Sequence, residues 1–201
     1  MPVQQEAARV SDLSKEREAW KKLMFDAQQN HLAKLFAQEL KLTAEEYKKS
    51  LPDFEKFKVS WEKGEMSVII EPRFNLGVVL ERTSTIPNID TTTTKDTVKT
   101  PKVPYVVQVV VWNMAATFEE AEAHLKRDRI TGLTAREGAI LRALYPAKSV
   151  ARPEHLFGSR TDGIYVPHIS KNPKGQNEMG IDAPIEKPGQ IIRYTTVLAR
   201  V

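Results

Sequence analysis

The chain of 201 residues is 41% apolar and 28% charged, which predicts one soluble domain, and no apolar run approaches the roughly 20 residues that a membrane-spanning helix needs. Its 30 basic and 26 acidic residues leave a net charge of +4 without a basic tail or stripe, so the charge argues against nucleic acid as a partner. The absence of cysteine excludes disulfides and thiolate chemistry, and because the first residues lack the apolar segment of a secretory signal, we expect a bacterial cytoplasmic protein.

The N-terminal part of the sequence predicts a long helix. We assign residues 1–10 to a flexible N-terminus and residues 11–201 to a single domain. Between Ser11 and Leu40 apolar residues recur at steps of three and four, which is the pattern of an amphipathic helix. This apolar stripe consists of Trp20, Met24, Ala27, His31 and Leu35, and it is widened by Leu23, Leu32, Phe36 and Leu40.

A capping box marks the start of the second predicted helix. The hydroxyl of Thr43 can accept a hydrogen bond from a free backbone N–H while Glu46 reaches back to the start of the helix. We expect this helix to end near Pro52, and residues 53–58 to add a further turn.

The sequence changes from helical to strand-like character at Met66. Residues 66–72 and 76–82 are rich in β-branched side chains, so they are predicted to form two paired strands. Residues 83–101 are rich in threonine and bounded by proline, which indicates a long loop or a partly disordered segment that we expect to be mobile. Residues 103–112 are almost continuously apolar, so we place this strand at the centre of the sheet with both faces covered.

Two further capping boxes and two strands complete the prediction. The boxes begin at Thr117 and Thr134, and they open helices expected to end near Arg129 and Tyr145. Strands are predicted over residues 164–169 and 191–201, with a mobile loop rich in glycine and proline between them. Together these elements predict an α+β fold in which two N-terminal helices and two later helices pack on a mixed β-sheet.

The second half of the chain resembles a family of bacterial proteins known only as a domain of unknown function. The resemblance covers about residues 104–174 and implies a shared fold, but it implies no known activity. Members of that family end in a Trp-rich segment, whereas this chain has no tryptophan after Trp112, and His168 stands where a larger apolar residue is usual. The matching segments, in order, are Pro104 to Val107, Glu119 to Ala121, Gly132 to Gly138, Gly158 to Arg160, Val166-Pro167, Ile169-Ser170 and Pro173-Lys174.

The turn from Gly158 to Gly163 is the candidate ligand site. A glycine-containing turn can expose backbone N–H groups, while Ser159 and Arg160 add a hydroxyl and a charged guanidinium that suit a carboxylate or phosphate. The alternative is that the turn is only structural and that an internal acid such as Glu137 or Asp162 holds Arg160. We assign Gly158, Ser159, Arg160 and His168 to ligand binding, and Thr134 and Glu137 to structure.

No catalytic or metal motif accompanies that turn. A serine nucleophile would need a nearby base, for which His155 and His168 are the sequence neighbours of Ser159, but the Gly-x-Ser-x-Gly pattern is missing. The sequence also has no His-x-His, HExxH or phosphate-binding glycine loop, so we assign no catalytic residue, metal or cofactor.

The sequence therefore favours a non-catalytic binding or interaction module of unknown ligand, for which a small anion at residues 158–163 or a protein partner are the candidates. The alternative is a small-molecule enzyme or ligand sensor that uses Ser159, Arg160 and a nearby histidine. A pocket in which these side chains converge would distinguish the two classes.

Overall fold

A mixed β-sheet with helices on both faces forms the framework of the protein, as the computed structural model describes it for residues 2–62, 66–146, 153–181 and 192–200. The predicted α+β fold is confirmed. The helices are α1 (Pro2–Phe36), α2 (Ala44–Lys49), α3 (Phe54–Glu62), α4 (Leu76–Arg82), α5 (Phe118–Arg127) and α6 (Ala135–Leu144), and a short 3-10 helix spans Gln38–Leu40. The strands are β1 (Met66–Ile70), β2 (Ile86–Pro87), β3 (Lys95–Asp96), β4 (Tyr105–Ala116), β5 (Thr131–Gly132), β6 (Glu154–His155), β7 (Ser159–Arg160), β8 (Pro167–Lys171), β9 (Asn177–Ile181) and β10 (Ile192–Arg200).

The main sheet has the strand order β1-β4-β10-β6-β8-β9-β2, with β5 also paired to β10. The pairs β10 with β6 and β2 with β9 are parallel, and the other described pairs of this sheet are antiparallel. A separate two-stranded sheet joins β3 to β7. The long strand β4 thus lies inside the sheet, although next to its β1 edge rather than at its centre.

Two apolar clusters cover the opposite faces of this sheet. Alternate residues of a strand point to opposite faces, and Leu198 of β10 accordingly joins the larger cluster while Val197 and Ala199 join the smaller one. The larger cluster receives side chains from α1, α2, α3, α4 and α6, whereas α5 covers the smaller one with Phe118, Ala121 and Leu125.

The three predicted capping boxes are present and begin α2, α5 and α6. At each N-terminus the threonine hydroxyl accepts a hydrogen bond from the backbone N–H of the residue three positions later. That residue is a glutamate, and its carboxylate accepts a hydrogen bond from the threonine N–H. Local side-chain chemistry therefore fixes these helix starts.

Residues 76–82 were predicted to form a strand, and that prediction is wrong because they form α4. The side chain of Asn75 accepts a hydrogen bond from the N–H of Val78 at 3.0 Å, which caps the helix. Leu76, Val79 and Leu80 are buried by this helix. The apolar residues of this segment are spaced so that a helix can bury them together, and this packing outweighs the preference of valine for strands.

The predicted loop between the last two strands contains the strand β9, which pairs with β8 as a hairpin. Residues 164–166 form a turn and a bridge rather than the predicted start of a strand. Residues 182–191 of the same loop lie outside the described residues. At the other end of the chain α1 begins at Pro2, and the flexibility of residues 1–10 stays a prediction. Among the described residues, none of the helices combines the length and apolarity that crossing a membrane requires.

The edge strand β1 is covered by a side chain of α1. The amide of Gln28 donates to the carbonyl oxygen of Ser67 at 2.8 Å and accepts from the N–H of Ile69 at 2.9 Å. The same amide donates to the hydroxyl of Tyr145 at 2.7 Å. Gln28 is buried, so its side chain takes the place of a neighbouring strand and satisfies backbone groups that would otherwise be available for edge-to-edge pairing.

Candidate functional site

The hydroxyl of Ser159 is part of the fold's internal hydrogen bonding. It accepts the N–H of Ala135, the first residue of α6, at 2.9 Å and donates to a carboxylate oxygen of Asp96 at 2.7 Å. Ser159 is fully buried. Its hydroxyl thus joins the start of α6 to β3, and neither of these two partners is a histidine.

Gly158 is required by a close approach of two backbone segments. Its N–H donates to the carbonyl oxygen of Leu133 at 2.9 Å, and its own carbonyl accepts the N–H of Thr97 at 2.8 Å. A Cβ at Gly158 would lie 2.8 Å from the carbonyl carbon of Leu133, which is closer than side chains tolerate. The N–H of Gly158 is therefore committed to the fold.

Arg160 is held by groups of the chain itself. Its guanidinium donates to the carbonyl oxygens of Phe157 and Ser159 at 2.8 Å each and forms an ion pair with Glu122. The side chain is 12% exposed, and burial lowers the pKa of Arg160, an effect that Glu122 partly opposes. The expected internal acid is thus Glu122, rather than Glu137 or Asp162.

Glu137 belongs to a second buried ion pair. One of its carboxylate oxygens accepts from the hydroxyl of Tyr105 at 2.7 Å and from the guanidinium of Arg200 at 2.6 Å, and the other completes the capping box with Thr134. Glu137 is fully buried. Glu137 therefore ties α6 to both β4 and β10, while Thr134 caps the start of the helix.

His168 lies away from the turn that was expected to bind a ligand. It sits in β8 opposite His155 of β6, with the two ring centroids 5.7 Å apart. Its ring also fills the space above Gly180, where a Cβ would come within 2.9 Å of Nε2. The structure therefore places His168 in packing between strands and not among the residues that line the groove beside Arg160.

Residues 90–97 form a hydrogen-bonded strap across the candidate turn, within the segment that was predicted to be a mobile loop. The carboxylate of Asp90 accepts both the N–H and the hydroxyl of Thr92, at 2.8 and 2.7 Å. The hydroxyls of Thr94 and Thr161 lie 2.8 Å apart, and β3 pairs with β7 at the end of the strap. Hydrogen bonds thus fix the strap both internally and to the turn.

Between the strap and the turn lies a groove of about 370 Å³, which we call the Lys95 groove. It is lined by Thr92, Thr93, Lys95, Thr97, Arg160, Asp162 and Gly163. Asp162 and Gly163 have φ values of +50° and +79°, so a left-handed turn forms the outer rim. On the other side of the strap is a second cavity of about 260 Å³, and Lys95 lines this one as well.

Lys95 supplies the available positive charge of the groove. Arg160 is neutralised by Glu122, whereas within the described part of the chain the ammonium of Lys95 has no ion pair or hydrogen bond. Thr97 contributes a hydroxyl to the lining, whereas the hydroxyls of Thr92 and Thr93 already donate to Asp90. Asp162 contributes its carboxylate. Among the described residues, no group of three or more histidine, aspartate or glutamate side chains is placed to hold a metal ion.

No model of a known protein family matches the chain, and no curated protein or solved structure matches it. The resemblance of residues 104–174 to a bacterial family therefore stays a prediction.

Sequence reasoning placed the candidate site close to the groove, and of its four chosen residues Arg160 lines the groove, whereas Gly158, Ser159 and His168 do not. Gly158, Ser159 and Arg160 were singled out for a small anion, yet Ser159 and the N–H of Gly158 are occupied by internal partners. Lys95 was missed because it lies in a threonine-rich segment that was expected to be a loop. Only the pairing of β3 with β7 brings this lysine beside Arg160.

Proposed function

We propose that the protein is a non-catalytic binding module that takes a small anion in the Lys95 groove. The observation that carries this proposal is an exposed ammonium with no ion pair among the described residues, set in a groove that also holds three threonines and a guanidinium. An anion at this position would compensate the charge of Lys95 and accept a hydrogen bond from the hydroxyl of Thr97.

The volume and lining of the groove indicate the class of ligand. A volume of about 370 Å³ is at the lower end of the range typical of small-molecule sites. The ammonium of Lys95 and the guanidinium of Arg160 in the lining favour a carboxylate or phosphate group over a neutral molecule. Lys95 attracts such a group as a point charge, while Arg160 is fixed in place by Glu122 and by two carbonyls.

The alternative, an enzyme or sensor that uses Ser159 with a histidine, receives no support from this geometry. The hydroxyl of Ser159 is buried and already has one donor and one acceptor partner. A nucleophilic serine needs a base within hydrogen-bond reach and access for its substrate. Ser159 is buried and neither of its two hydrogen-bond partners is a histidine, which favours the binding module over the enzyme.

Thermal unfolding in the presence of different salts tests the proposal. Sulfate or citrate at one hundred times its dissociation constant should stabilise the folded state by about 2.7 kcal/mol, which raises the melting temperature of a domain of this size by about 5–10 °C. Sodium chloride at the same ionic strength should not produce this shift. An equal response to all salts would contradict a specific anion site.

Three variants locate the site. Lys95→Gln should abolish the sulfate response, and Asp162→Asn should strengthen it because a carboxylate is removed from the rim. Lys174→Gln is the matched control, since Lys174 is an exposed lysine in the turn between β8 and β9. If Lys95→Gln retains the response, or if Lys174→Gln loses it, the groove is not the binding site.

A further inference from the structure

The outer face of α1 carries apolar side chains that are exposed to solvent. Phe25, Leu32 and Phe36 of this helix are buried, but Leu23 is 65% exposed and Trp20 is 49% exposed. At 3.6 residues per turn, Leu23 lies on the side of the helix opposite to these buried residues. The sequence pattern had placed both Trp20 and Leu23 in the apolar stripe of this helix, and the structure instead exposes both side chains.

Six exposed residues form a regular row along this outer face. They follow each other at steps of four and three residues, which is the spacing of the contact positions in a coiled coil. We call this row the outer stripe, and it consists of Glu16, Trp20, Leu23, Ala27, Asn30 and Lys34. Its centre is apolar and its two ends carry opposite charges, so the stripe has the pattern of a helix contact surface.

The outer stripe is complementary to itself when two copies run antiparallel. We place the two-fold axis perpendicular to the helix at the height of residue 25. Leu23 of one copy then lies against Ala27 of the other, so a large side chain packs on a small one. The same axis brings Glu16 to Lys34 of the second copy at both ends of the contact. Within the described part of the chain neither Glu16 nor Lys34 has an ion pair. A parallel arrangement would place like charges together at both ends instead.

We propose that the protein forms a homodimer in which the outer stripes of two α1 helices pack antiparallel. A contact of this kind is isologous, so it closes after two copies and leaves no stripe free. It removes Leu23 from water and gives the terminal charges partners. The dimer is independent of the Lys95 groove, since no groove residue belongs to α1.

Sedimentation or light scattering of the full chain at micromolar concentrations tests the dimer. The wild-type protein should have twice the mass of the chain, and Leu23→Glu should weaken the dimer about a hundredfold or more, because two leucines lose their burial. Val103→Glu is the matched control, since Val103 is 67% exposed but lies outside α1. A monomeric wild-type protein, or equal effects of the two variants, would overturn the proposal.

Charge reversal tests the antiparallel register. Glu16→Lys and Lys34→Glu should each weaken the dimer severalfold, because each places like charges at both ends of the contact. An equal mixture of these two variants should recover wild-type affinity, because the mixed dimer has opposite charges at both ends. If the mixture associates no better than the separate variants, the proposed register is wrong.

Discussion

Replacing Ser159 by alanine separates a structural role of this residue from a ligand-binding one. The change removes two hydrogen bonds at a fully buried position and leaves the N–H of Ala135, itself 1% exposed, without its partner. An orphaned buried backbone N–H costs about 1–3 kcal/mol, and the lost bond to Asp96 adds about 1 kcal/mol. We therefore expect Ser159→Ala to lower the free energy of unfolding by about 2–4 kcal/mol.

Urea unfolding followed by tryptophan fluorescence measures this loss, and thermal unfolding should show a decrease in melting temperature of about 4–16 °C. Ser170→Ala is the matched control. Ser170 is a half-buried serine of β8 for which the described residues include no side-chain hydrogen bond, and this variant should stay within about 0.5 kcal/mol of the wild type.

The sulfate response provides a second measurement on Ser159→Ala. Because the serine hydroxyl does not line the Lys95 groove, the folded variant should still be stabilised by sulfate to the same extent as the wild type. A loss of stability below about 0.5 kcal/mol would refute the structural role. Loss of the sulfate response in a variant of normal stability would instead assign Ser159 to the ligand.

Two other contacts lead to further predictions. Gln28→Met keeps the size of the side chain but leaves buried backbone groups of β1 unpaired. This variant should therefore lower the free energy of unfolding, measured by urea titration, by about 2–4 kcal/mol. Gln29→Met is the control and should have little effect in the same titration. Burial raises the pKa of Tyr145 to about 12, against about 10 in an unfolded chain. The folded state therefore holds the proton more tightly, and stability should fall as the pH rises from about 10 to 12. Tyr145→Phe should reduce this fall, and an unchanged pH profile in that variant would contradict the assignment.

Local side-chain chemistry made part of this fold predictable. A capping box lies within four residues, so the sequence alone identified the starts of α2, α5 and α6. Apolar periodicity likewise predicted the long N-terminal helix and the α+β class. The same approach failed for residues 76–82, because a short run of β-branched residues is compatible with a strand and with a buried helix, and packing decides between them.

The candidate site depends on contacts between distant parts of the chain. Ser159 meets Asp96 across 63 positions of sequence, and Arg160 meets Glu122 across 38. The sequence predicted a single turn over residues 158–163, whereas the structure places its hydroxyl and its cation in the strand β7 and leaves turns at residues 157–158 and 162–164. The sequence could not indicate that internal partners already occupy these two groups, because these partners are brought near only when β3 pairs with β7 and α5 packs on the sheet.

The sequence by itself thus determined the helix starts, the long amphipathic helix and the α+β class, because these depend on residues within a few positions of one another. The tertiary structure alone decided which polar groups are satisfied and which remain available. It buried Ser159 in internal hydrogen bonds, placed Lys95 at the groove and left Leu23 exposed on α1. The physical reason is that hydrogen-bond satisfaction and burial depend on neighbours in space, and sequence periodicity specifies only neighbours along one helix or strand.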